Sequence, residues 1–195
     1  MAPRRDIIVI GASRGGVDAL RRVVGNFPVD LPAAVLIVLH TAPDSPMAMA
    51  DILGRSTAMP VDYAEQGSRI EPGQVYIAPP GWHTAVVAES VLELHHGEPV
   101  NFSRPAVDVL FRSAAQVYGS RVIGVVLTGG DHDGTAGLRA IKLAGGISVV
   151  QKPQGAVDPG MPMSAIYGDS PDHVVPLGEM AKLLVRLVGF GRMPS

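Results

Sequence analysis

The chain contains no cysteine, which removes disulfides, thiolate metal sites and a thiol nucleophile from consideration. It also lacks any apolar run long enough to cross a bilayer: the longest, Ala33–Leu39, is far short of the roughly 20 residues a spanning helix needs. No signal-peptide core follows Met1-Ala2-Pro3-Arg4-Arg5, which leads directly into a strand pattern. Charge of one sign is scarce as well. Sixteen basic and 18 acidic residues are interspersed for a net charge of −2, and no basic block with interleaved aromatics suggests nucleic acid or an anionic membrane. Charged residues are only 17% of the chain and apolar ones 47%, a balance that favours a packed core over disorder. A soluble cytoplasmic protein without nucleic-acid binding or membrane insertion is the expectation.

What is present is an alternation of apolar strands and amphipathic helices. Asp6–Ile10 is a β-branched run ending at Gly11 and reads as a buried strand. Val17, Leu20, Val23, Val24 and Phe27 then recur at helical spacing before Pro28. Ala34–Leu39 is a second buried strand, and Met47–Arg55 a short helix. The middle differs: Val75–Ala78, Thr84–Ala88 and Val91–Leu94 are short strands, with Glu89-Ser90 at a hairpin tip. Alternation resumes with a helix whose Val107, Leu110, Phe111, Ala114, Val117 and Tyr118 share one face before Gly119. Val122–Leu127 is a third buried strand and Thr135–Ala144 a helix; Ile147–Val150 is a strand, Pro153–Pro162 a loop and Leu177–Val188 a last helix. The expected fold is a single α/β domain over 1–195, a doubly wound, mostly parallel sheet with helices on both faces and a small antiparallel excursion.

Ligands of such folds bind at the carboxyl ends of the strands, near a topological switch point. After the first strand comes Gly11-Ala12-Ser13-Arg14-Gly15-Gly16, after the second His40, and after the third Thr128-Gly129-Gly130-Asp131-His132-Asp133-Gly134. A hydroxyl, an imidazole and a carboxylate thus leave one edge of the sheet, the inventory of a nucleophile, a base and a group that orients the base. Gly11-x-Ser13-x-Gly15 fits a nucleophile elbow, with the following helix directing free N–H groups at the serine. The same turn fits a phosphate-binding loop equally well. A dehydrogenase of the short-chain type is disfavoured, because none of Tyr63, Tyr76, Tyr118 or Tyr167 has a lysine four residues on. Read alone, Ser13 and Asp133 are also suited to capping helices, and Asp131-His132-Asp133 is a weak metal pattern.

Taken together, the segments resemble the catalytic domain of the CheB-type protein-glutamate methylesterases. The resemblance runs through Ile10–Gly16, Leu39-His40-x-x-Pro43, Gly73–His83, Arg104–Ser113, Leu127–Leu138 and Gly160-Met161-Pro162. It implies Ser13 as nucleophile, His40 as base, Asp133 as the orienting acid, and backbone N–H groups near Arg14 and Gly130 as oxyanion donors. It also implies removal of methyl esters from glutamyl side chains of a chemoreceptor-like helical protein, with glutamine deamidation in some members, and no cofactor or metal. Two departures stand out. Nothing here corresponds to the receiver domain usually placed ahead of the esterase, so constitutive activity or gating by a separate regulatory protein is expected. The family's Thr-Gly-Met-Gly-x-Asp-Gly is Thr128-Gly129-Gly130-Asp131-His132-Asp133-Gly134 here, which opens a second reading, a catalytically weakened receptor-binding module. A nucleotide-binding α/β protein is the remote alternative.

Overall fold

The computed structural model describes residues 4–189. Its centre is β1 (Ile7–Ala12), β-branched from Ile7 to Ile10 and buried throughout. A strand buried on both faces needs neighbours on both edges and helices above and below. β1 pairs in parallel with β2 (Ala34–Leu39) on one edge and with β7 (Val122–Val126) on the other. The chain order around these is β3 (Val61–Tyr63), β4 (Val75–Ile77), β2, β1, β7, β8 (Ile147–Gln151) and β9 (His173–Val175), all parallel. β5 (His83–Val87) and β6 (Val91–His95) form the separate antiparallel excursion, joined by a helical turn over Ala88–Ser90.

Two apolar layers sandwich the sheet. Ile8, Ile10 and Ala12 face a core shared with α1 (Gly16–Val24), α2 (Met49–Gly54) and α6 (Leu177–Val188). α1 buries Gly16, Ala19, Leu20, Val23 and Val24, one stripe at helical spacing. Ile7 and Val9 face the other core, built with α3 (Val107–Tyr118), α4 (Thr135–Leu143), α5 (Gly160–Asp169) and the hairpin. Gly11 belongs to that face: a Cβ on it would lie 2.4 Å from Val107 Cγ1. Its bare backbone lets the first turn of α3 settle against the end of β1, which fixes where that helix begins.

The main strands and helices stand where their patterns place them, with ends shifted by up to three residues. β1 runs on through Gly11 and Ala12, and α1 stops at Val24 instead of Phe27. Three elements depart from expectation. β3 and β9 are three-residue edge strands, half-exposed and without a buried run to announce them. α5 begins inside the segment read as loop, because Pro162 occupies its first turn, where a missing N–H costs nothing.

Candidate functional site

β1 is the switch point, since the chain leaves it toward β2 and returns on its other side as β7. The register places Ala12 beside Leu39 and Gly11 beside Val126, so Ser13, His40 and the loop from Thr128 emerge at one level. Ser13, Arg14, His40, Phe102, Ser103, Gly130 and Asp131 line a single open depression of about 630 Å³. A more apolar groove of about 500 Å³, bordered by Lys152, Met163, Ile166, Tyr167 and Val174, lies elsewhere and brings no serine–histidine–acid set together.

His40 Nε2 and Asp133 Oδ2 are 2.7 Å apart. With Nε2 committed to the carboxylate, Nδ1 is the ring nitrogen left for the pocket. Asp133 is fully buried, and its carboxylate accepts from the Val107 and Asp108 amides at 2.6 and 2.9 Å and from Asn101 Nδ2 at 2.9 Å. Burial alone would push this carboxyl up. The bonds from His40, from the two amides and from Asn101 outweigh it and hold the group below its ordinary value. The amides are the first of α3, so the anion also sits at the positive end of that helix.

Ser13 is anchored by its own backbone, whose N–H donates to Thr128 O at 3.0 Å and whose carbonyl accepts from Gly16 N–H. The Thr128 hydroxyl donates to Arg14 O and accepts from the Asp158 amide, while the Thr128 amide donates to Gln151. The serine turn and the loop after β7 are therefore one bonded unit. Among the described residues neither the Arg14 nor the Gly130 N–H has a backbone hydrogen-bond partner. Gly129 is required by contact: a Cβ there would sit 2.7 Å from Ser13 Cβ and 2.3 Å from Met161 Sδ. Met161, fully buried, is the floor beneath that glycine.

The two departures in the acid loop have local accounts. A Cβ on Gly130 would come within 2.9 Å of Asp158 Oδ2, which accepts from Arg14 Nη1 at 2.9 Å. An ion pair fills the space a longer side chain would need. Asp131 takes a left-handed backbone, φ 82°, where its exposed carboxylate accepts from the His132 amide and pairs with the His132 ring. Asp131 and His132 turn to each other and Asp133 turns inward to His40, so these three side chains do not converge on one ion.

Three supports were not evident from sequence. Asn101 bridges Asp133 and Asp108, Asp158 receives Arg14, and Phe102 stands at the rim; the only signal was position shortly ahead of a helix, α3 for Asn101 and Phe102 and α5 for Asp158. Asp108 accepts from the Gly134 and Gly137 amides, and Arg104 donates to Gly97 O. His83 is a brace: fully buried, it donates from Nε2 to Glu98 O and accepts the Ala106 amide at Nδ1.

Comparison with known proteins identifies the family. A family model for the CheB methylesterase domain matches residues 8–184. A Leptospira interrogans relative named for protein-glutamate methylesterase/protein-glutamine glutaminase activity is 40% identical over 93% of this chain and 94% of its own. A protein-glutamate methylesterase/protein-glutamine glutaminase of Methanosarcina acetivorans is 40% identical over 96% of this chain, which corresponds to 55% of that protein. The crystal structure of the Thermotoga maritima CheB methylesterase catalytic domain superposes with a TM-score of 0.90 at 34% identity, covering 95% of this chain and all of that one. With a family match through nearly the whole chain and the same fold, the chain belongs to the CheB methylesterase family.

Proposed function

We propose that the protein hydrolyses methyl esters of glutamyl side chains on a helical, chemoreceptor-like protein, with Ser13 as nucleophile, His40 as base and Asp133 as the acid that orients it. The observation that carries this reading is the 2.7 Å His40–Asp133 bond opening onto the depression that Ser13 lines. Ser13 Oγ attacks the ester carbonyl as His40 Nδ1 takes its proton. The Arg14 and Gly130 amides receive the negative charge that develops on the carbonyl oxygen. His40 returns the proton to the departing methoxy oxygen, releasing methanol and leaving an acyl-serine. A water deprotonated by His40 then attacks that ester, and the glutamate side chain leaves as Ser13 recovers its proton. Asp133, held ionised by its donors, fixes the ring tautomer and stabilises the imidazolium in both halves.

A glutamine side chain fits the same cycle with ammonia as leaving group, and the names of the relatives favour that second activity. The weakened-module reading rested on Asp131; its carboxylate is spent on His132, which supports turnover. The test is release of methanol from a methylated receptor cytoplasmic fragment, and of ammonia from the glutamine form. Ser13→Ala and His40→Ala should each lower turnover by about four orders of magnitude or more, close to the loss of the double variant, because the residues act as a unit. Near-normal methanol release from folded Ser13→Ala would refute the assignment.

A further inference from the structure

Phe102 is 93% exposed, an unusual place for a phenyl ring, and its backbone is left-handed with φ 61°. It shares that conformation with Asn101, φ 50°, and Val100 and Ser103 exchange both backbone hydrogen bonds at 3.0 Å across the pair. Residues 100–103 therefore form a two-residue hairpin turn with both corners at positive φ. Such turns select asparagine, aspartate and glycine. Asn101 meets that requirement, while an aromatic residue strains it. Nothing in the fold offsets the strain, because the ring packs into no core.

The turn's position gives the ring a use. Asn101 pins the turn to Asp133 and Asp108, and Asp133 holds His40. Phe102 and Ser103 thus stand at a fixed offset from the base, on the rim of the depression that contains Ser13. The remaining rim is polar, with Arg14, Asp131 and His40, so the phenyl group is its apolar feature. Local strain retained at a site without packing benefit is the signature of a contact made to something else.

We propose that Phe102 is a specificity-determining residue that grips the helix of the protein substrate at an apolar side chain near the reacting glutamyl ester. The inference rests on the reading of the substrate given above. An amphipathic helix presents such a side chain beside its polar face, whereas a small free ester has none.

The experiment compares wild type with Phe102→Gly, Phe102→Leu and Phe102→Tyr on two substrates, a methylated receptor cytoplasmic fragment and a small soluble glutamate γ-methyl ester. For Phe102→Gly the ratio of kcat/KM on the fragment to that on the small ester should fall about tenfold or more, the loss typical of an interface anchor. The change should lie mainly in KM, and Leu or Tyr should restore part of it. Phe102→Gly should melt at or above wild type, since glycine relieves the strained turn, which separates lost grip from lost fold. An unchanged ratio would overturn the proposal, as would an equal fall on both substrates. Binding to the fragment in the Ser13→Ala background, with and without Phe102→Gly, gives a readout independent of turnover. Absent binding, or equal affinity with and without the ring, also overturns it. Wild-type binding without methanol release would instead count against the proposed reaction.

Discussion

Asn101 donates from one amide nitrogen to the carboxylates of Asp108 and Asp133, at 2.9 Å each, and both acceptors are buried. Asn101→Ala withdraws a donor from two desolvated carboxylates, at a cost of about 2 kcal/mol. One of the bonds holding Asp133 low is lost, so its pKa rises and the acid limb of the pH–rate profile moves to higher pH. Urea unfolding and rates measured down the acid side check both effects. Asp131 is the opposite case. Its carboxylate is turned onto His132 and its backbone stands at φ 82°, so Asp131→Gly should change turnover by no more than about threefold while gaining up to about 1 kcal/mol from relieved strain. A large rise in turnover would mean that the carboxylate faces the forming oxyanion. Ser13, His40 and Asp133 could be singled out in the sequence because each lies in the segment that follows a buried apolar run at one edge of the sheet. Asn101 was not, because a turn residue inside a Pro- and Gly-rich loop gives no clue to what its side chain will reach.

α3 and α4 start without side-chain caps of their own, and each obtains an acceptor from the other. Asp133, just ahead of α4, takes the Val107 and Asp108 amides, and Asp108, in the first turn of α3, takes the Gly134 and Gly137 amides. This exchange fastens the acid loop to the helix that packs over β1. Asp108→Ala should cost about 2–3 kcal/mol, about 5–10 °C in melting temperature, and lower turnover through the displaced acid loop. In a double-mutant cycle with Asp133→Ala the losses should fall short of additive by 0.5 kcal/mol or more, roughly the threshold for coupled sites. Additive losses would show two independent caps. Helix existence was readable from apolar spacing, since the faces of α1, α3 and α6 follow it. The reciprocal caps were not, because they join residues remote in sequence, and α5 hid behind a proline that its first turn tolerates.

The two cores and the parallel sheet bind distant parts of the chain into one acid-sensitive whole. His83 is buried with both ring nitrogens bonded, and burial, the largest influence on it, lowers its pKa from 6.5. The unfolded chain protonates this ring as pH falls through about 6.5 while the folded protein resists, so stability declines below that pH. Asp133, lowered from 3.8, adds stability above that value which is lost as pH falls through it toward the folded pKa. Unfolding free energy measured from pH 7.5 to 5.0 should therefore fall, and a folded His83→Gln variant should show a shallower slope. An identical slope would assign the loss to other groups. The overall architecture was legible from alternating strands and helices; the edge strands β3 and β9 were not, because three half-exposed residues leave no pattern to read.

The central place of β1 also sets a timetable. It is made before the five strands β2 to β6, yet one of its two neighbours, β7, comes only after all of them, and α1 packs against α6, far along the chain. Pairings that span so much sequence close slowly, so during synthesis the Ser13 turn waits without its acid loop and with its core face uncovered. Until α6 is made, the apolar face of α1 is exposed surface prone to aggregation.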